Sequence, residues 1–268
     1  MSYGLFDTHA HYTDRRFKTE YEGGAESLLR AVFASGVEKI VNVGTNYENS
    51  LEVIAQAAKY DGMYAAVGIH PSDCKDCGDI ELEMERLAAL LERKDEHKIV
   101  AVGEIGFDYY WEPVEKELQY EYFYRQMELA ERYSLPVVIH DREAHGDTVA
   151  MIERFPGVKG ILHSCSASAE TVKELCKKGW YISFSGTVTF KNAARVKDAA
   201  AAVPLDKILS ETDCPYLAPH PHRGKLNHSG LMEFTAKSLA EIHGISYEKM
   251  RENLYKNAIN VFNLNFDC

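Results

Sequence analysis

Two histidines one residue apart, His9 and His11 in "DTHAH", stand near the start of a chain of 268 residues. On an extended strand, residues i and i+2 point to the same side, so both imidazoles can reach one cation. Partners of the right type recur far along the chain: Glu104 in "AVGEIG", His140 in "VVIHD", His163 in "ILHS" and Asp213 in "ETD". Each ends an otherwise apolar run. Burying a carboxylate in such a run costs on the order of several kcal/mol unless a counter-charge or metal compensates it. Imidazole and carboxylate donors together suit Zn²⁺, Mn²⁺ or Mg²⁺ without selecting among them. So many donors predict two divalent metal ions about 3.5–4 Å apart, with an activated water between them. In this reading Glu104 bridges the pair. His9, His11 and Asp213 complete one shell, and His140 and His163 the other. The chemistry is metal-assisted hydrolysis.

Such a constellation needs a scaffold that gathers strand ends. Eight short β-rich runs, at 4–11, 39–44, 63–70, 98–108, 136–141, 158–164, 180–186 and 207–213, alternate with helical patterns such as "AESLLRAVFASG" and "VEKELQYEYFYRQMELAERYS". Most are apolar throughout, as strands buried on both faces are. Eight β units with helices between them, and a helical stretch from about Ser229 onward, predict a (β/α)8 TIM barrel. A doubly wound open sheet rarely holds so many evenly spaced strands. Barrels place their chemistry at the C-terminal strand ends, and the polar residues Asp7, His9, His11, His70, Glu104, Asp108, His140, His163, Glu211 and Asp213 fall there. With no linker, low-complexity tract or composition shift, residues 1–268 read as a single domain.

The net charge of −11 excludes a protein that holds nucleic acid through a broad basic surface. Any nucleic-acid substrate must be drawn by local positive charge, which bound metal supplies. No run approaches the roughly 18 apolar residues of a membrane span. A basic region followed by an apolar one is missing at the start, so a cytoplasmic protein without a membrane partner is expected. Of six cysteines, Cys74 and Cys77 form a C-x-x-C, while Cys165, Cys176, Cys214 and Cys268 are scattered. Lacking a second motif, the C-x-x-C is read as two surface-loop thiols rather than a zinc or redox site.

The motifs "DTHAH" (7–11), "GIHP" (68–71), "GEIGFDYY" (103–110), "VIHDR" (138–142), "ETDCPYLAP" (211–219) and "RGKLN" (223–227) together resemble the TatD family of metal-dependent hydrolases, in order from residue 5 to about residue 262. The resemblance implies a divalent-metal-dependent deoxyribonuclease, a 3′-to-5′ exonuclease acting on single-stranded ends of DNA, with RNA as a further candidate. It implies the same ligands: His9, His11, Glu104, His140, His163 and Asp213. Asp213 then accepts the proton of the attacking water, with Glu104 as the other catalytic carboxylate. His70 resembles a position close to the scissile phosphate. Arg142 and Arg223 are the candidate phosphate forks, since guanidinium matches phosphate bidentately. Tyr109, with Tyr110 and Trp111 after it, is a candidate base-stacking residue. One departure stands out: "HSCSAS" (163–168) replaces the family's frequent "HCFSGS", which keeps the histidine but loses an aromatic and a glycine from the following loop.

Two other readings remain. A small-molecule amidohydrolase, lactonase or phosphotriesterase would use nearly the same donors, although many such barrels bridge their metals with a carboxylated lysine, and none of the strands here ends in a suitably placed lysine. A barrel that has lost its chemistry and only binds is disfavoured by the complete ligand set. No obligate protein partner is implied.

Overall fold

The computed structural model describes residues 3–111 and 114–265, so Cys268 lies outside the described residues. Strands and helices alternate: β1 (Leu5–Ala10), α1 (Arg15–Thr19), α2 (Gly24–Ala34), β2 (Val37–Val43), α3 (Tyr47–Ala57), β3 (Met63–Val67) and α4 (Ile80–Leu91). The middle of the chain adds β4 (Ile99–Asp108), α5 (Lys116–Tyr133), β5 (Val137–Arg142), α6 (His145–Arg154) and β6 (Gly160–Leu162). It closes with α7 (Ala169–Lys177), β7 (Tyr181–Phe184), α8 (Ala194–Ala202), β8 (Ile208–Ser210), α9 (Met232–His243) and α10 (Tyr247–Val261). Eight βα units in succession are the expected (β/α)8 pattern. No helix among the described residues is long and apolar enough to cross a membrane.

The chain divides into two compact units, Met1–Asn42 with His163–Cys268, and Val43–Leu162. In the first, β1 pairs in parallel with β2, and β7 with β8. A parallel bridge between Ala10 and Cys214 ties β1 to the segment leaving β8. In the second unit β3, β4, β5 and β6 pair in parallel in chain order. All ten residues of β4 are buried, Glu104 and Asp108 included, as in a strand covered on both faces. Side chains entering the helices cap them. Asn46 accepts from the Asn49 amide at the start of α3, Asp79 from Leu82 at α4, and Ser246 from Lys249 at α10.

Several strands are shorter than their apolar runs. β3 stops at Val67, β6 at Leu162 and β8 at Ser210, so His70, His163, Glu211 and Asp213 stand on the loops that follow. The run overshoots because these loops are buried as well: Ile69 and Thr212 are as inaccessible as strand residues although they add no rung to a ladder. Cys74 also differs from expectation. It is buried in a short 3₁₀ turn, Cys74–Asp76, with its thiol 3.5 Å from the His70 carbonyl, so it is not a surface thiol.

Gly106 is the tightest point of β4. Its φ is +141°, and a Cβ there would overlap the carbonyl oxygen of His140 on β5. Gly106→Ala should therefore lower stability by about 3 kcal/mol, measured by denaturant unfolding, because strain and overlap add. An unchanged midpoint would show that β4 and β5 separate freely here.

Candidate metal centre

In the first unit, β1 and the loop after β8 converge. The His11 amide donates to the Cys214 carbonyl at 2.8 Å, and the Asp213 amide to the His9 carbonyl at 2.9 Å. This stitching sets His9 Nε2 2.9 Å from His11 Nε2. Asp213 Oδ1 lies 3.4 Å from His11 Nε2 and 3.7 Å from His9 Nε2. Two ring nitrogens at that separation need a single proton or a cation between them. The donor set fits a metal, since all three groups offer a ligand atom within 4.8 Å of the others. Burial alone would raise the Asp213 pKa, but the His11 hydrogen bond and the charges of His163 and His9 outweigh it and hold the carboxyl below its ordinary value.

His163 stacks on His9, with ring centroids 4.0 Å apart. Its Nδ1 donates to Glu211 Oε1 at 3.0 Å, and that oxygen also accepts the Ser164 amide at 2.8 Å. The contact fixes the tautomer and leaves Nε2 with its lone pair. Asp7 braces the same region from beneath. It accepts the Thr212 amide at 3.0 Å, the Thr212 hydroxyl at 2.6 Å, the Ser229 hydroxyl at 2.6 Å and the His9 amide at 3.3 Å. Burial pushes its pKa up to about 6, against the pull of the Ser229 and Thr212 bonds. The unusual "HSCSAS" loop is occupied structurally. Ser164 Oγ lies 2.9 Å from Ser185 Oγ, and Ser168 caps α7.

A second group of donors, His70, Glu104 and His140, forms within the other unit. His140 Nδ1 is 2.8 Å from Glu104 Oε1, and His70 Nε2 is 3.5 Å from the same oxygen. On its far side, His140 Nε2 donates to Asp108 Oδ2 at 3.0 Å. Burial opposes ionisation of Asp108, but the His140 bond and the Trp111 amide prevail and bring its pKa down to about 2. With Nε2 committed to that anion, a neutral His140 turns a lone pair on Nδ1 toward the lone pairs of Glu104. Only a proton or a cation makes so short a contact favourable. His70 is held differently. Its Nδ1 accepts the Ser72 amide at 3.1 Å, which puts the proton of a neutral ring on Nε2, facing the cluster.

The substrate candidates are spread over both units. Arg142 is exposed and lies over the rings of Tyr110 and Trp111, 4.4 and 5.5 Å from their centroids. Arg223, also exposed, lies 4.6 Å over Phe190 in the first unit. Tyr109 donates its hydroxyl to Asp147 at 2.8 Å, and the Lys116 ammonium sits 3.9 Å from its ring centre. Asp7, Asp108 and Glu211 stand out at strand ends in the sequence by the same burial cost that singles out Glu104, and their partners in the fold give them their roles.

The model of the TatD related DNase family matches residues 6–263. The chain belongs to the TatD family. A relative in Bacillus subtilis (strain 168), named uncharacterized metal-dependent hydrolase YabD, is 38% identical over 263 residues, covering 97% of this chain and 100% of the relative. A second, uncharacterized metal-dependent hydrolase YcfH of Escherichia coli (strain K12), is 35% identical and covers 97% of this chain and 96% of its own. The crystal structure of YJJV, a TatD homolog from Escherichia coli K12, superposes with a TM-score of 0.89 at 30% identity, over 97% of this chain and 98% of that one. This TatD-family protein is thus a (β/α)8 barrel and a metal-dependent hydrolase, and its donor groups suit divalent ions.

In this TatD-family hydrolase, Asp108→Asn should weaken divalent-metal affinity about 10- to 100-fold, because Asp108 sets the tautomer of His140. Competition with a chromogenic chelator measures it, and wild-type affinity would remove Asp108 from the site. Burial, aided by the Glu83 charge, pushes the Cys77 thiol up to about 11. Only about a thousandth of it is thiolate at pH 8. Its alkylation by iodoacetamide should therefore be slow at pH 8 and rise about tenfold per pH unit up to pH 10. Mass spectrometry of the labelled peptide reads the rate.

Proposed function

We propose that this TatD-family hydrolase cleaves phosphodiester bonds of DNA, as a 3′-to-5′ exonuclease working on single-stranded ends, and that RNA ends fit the same chemistry. The observation that carries the reading is the pair of donor groups, His9–His11–Asp213 and His70–Glu104–His140, each able to hold a cation in an otherwise acidic chain. The family's description as a DNase supports the choice of substrate. Two divalent ions are proposed, held by His9, His11, Glu104, His140, His163 and Asp213 with His70 left to the substrate, and Mg²⁺, Mn²⁺ and Zn²⁺ are all compatible with nitrogen and carboxylate donors. Five free cysteines among the described residues support the cytoplasm as the compartment.

Divalent ions held there supply Lewis-acid activation of water and positive charge at the phosphate. The residues do the rest. Asp213, ionised at neutral pH, accepts the proton of the water that attacks phosphorus. Glu104 orients His140 and His70 through one oxygen. His70 presents its Nε2 proton to a phosphate oxygen, because Ser72 already occupies Nδ1. Arg142 and Arg223 make no ion pair among the described residues, so their guanidinium edges are available to phosphate. His163, oriented by Glu211, completes the ligand set.

The test is cleavage of single-stranded oligonucleotides labelled at the 3′ or the 5′ end, with each metal and with chelator. A ladder shortening from the 3′ end, abolished by chelator and by Glu104→Ala, is expected. Asp213→Asn should lower kcat by about 10²- to 10⁴-fold, the range of a lost general base. No cleavage with any metal, from protein that holds metal, would overturn the nuclease reading in favour of a small ester or amide substrate.

A further inference from the structure

Tyr110 and Trp111 are 57% and 62% exposed, on a loop that leaves a wholly buried strand. Their rings meet edge to face, with centroids 5.0 Å apart and planes at 85°. Packing does not account for them, since large aromatic rings that serve a core are covered by it. Nor are these two residues loosely held. Asp108 Oδ1 accepts the amides of both Tyr110 and Trp111, at 2.9 and 3.0 Å, while Asp108 Oδ2 takes the proton of His140 Nε2. A single carboxylate thus fixes a candidate metal ligand on one side and the aromatic loop on the other. Arg142 lies over both rings and makes no ion pair among the described residues.

We infer that Tyr110, Trp111 and Arg142 form a nucleobase platform, on which an unpaired base of the substrate strand stacks while Arg142 holds its adjoining phosphate. The inference rests on the phosphodiesterase reading and deepens it. Exposed aromatic faces beside a cation are the elements by which single strands are bound without sequence preference. A base inside a duplex has both faces covered by its neighbours, so only an unstacked base can use the platform. Selection of single-stranded ends follows from stacking rather than from a basic groove, which suits a chain of net charge −11. The assignment shifts stacking from Tyr109, which is half-buried with its hydroxyl tied to Asp147, to the next two residues, which are exposed.

The chain contains two tryptophans, and Trp180 is 1% exposed, so emission that responds to a bound base reports Trp111. Short oligothymidylate should quench this emission, and an abasic strand of equal charge should not. Affinity for the abasic strand, measured by competition against a labelled oligonucleotide, should be about tenfold weaker. Trp111→Ala should lose that difference, and Trp111→Phe should keep most of it. Equal affinity for both strands without quenching would overturn the platform. Metal-dependent cleavage is scored separately. Cleavage without dependence on the base leaves the nuclease reading intact and removes the platform, whereas base-dependent binding without cleavage keeps the platform and removes the nuclease reading.

Discussion

Four carboxylates, Asp7, Glu104, Asp108 and Glu211, are buried at the ends of apolar strands, and each must be compensated or the fold fails. Asp7 is satisfied by Thr212, Ser229 and the His9 amide, and one oxygen of Glu211 by His163 and the Ser164 amide. Asp108 is satisfied by His140 and two loop amides, whereas Glu104 faces His140 at 2.8 Å and His70 at 3.5 Å and needs a shared proton or a cation as its counter-charge. The compensating groups are the histidines that face the donor clusters or the backbone that carries them. Ring orientation is therefore enforced by the same electrostatics that makes burial of the acids tolerable. Chemistry and stability draw on one set of contacts.

That coupling divides the work between strands and loops. β1, β4 and β5 supply His9, Glu104 and His140 from rigid backbone. His70, His163 and Asp213 come from loops, and each loop is tied down by main-chain bonds, such as His70 N–H to the Thr45 carbonyl and Asp213 N–H to the His9 carbonyl. Loop donors held in this way can be as well placed as strand donors. The tautomers follow from the second nitrogen of each ring: His140 and His163 each give one proton to a carboxylate, while His70 accepts a backbone amide.

The residues that converge as candidate donors are legible in the sequence because polar residues in buried apolar runs are conspicuous, and the alternation of eight such runs with helices marks the barrel. The strand limits are not. Ile69 looks like a strand residue because burial, not ladder pairing, is what an apolar run encodes. The roles of Asp108 and Glu211 are not legible there, since which ring nitrogen a carboxylate serves is a fact of three-dimensional placement. The partnership of His140 with His70 depends likewise on how two loops and two strands meet. Tyr109, Tyr110 and Trp111 form one aromatic run in sequence, and only the strand's exit direction decides which of them faces solvent.

Gly106 pairs with His140 across β4 and β5. Glu104, Gly106 and Asp108 fall on alternate positions of one strand, so an acid stands on either side of a gap left by a missing side chain, and the imidazole lies across that gap. The motif E-x-G-x-D works as a ruler whose graduations are set by the pleat. Inserting or deleting one residue between the two acids would send one of them to the opposite face of the sheet. Drift by single substitutions can exchange the residues around this cradle, but it cannot slide the cradle along the strand.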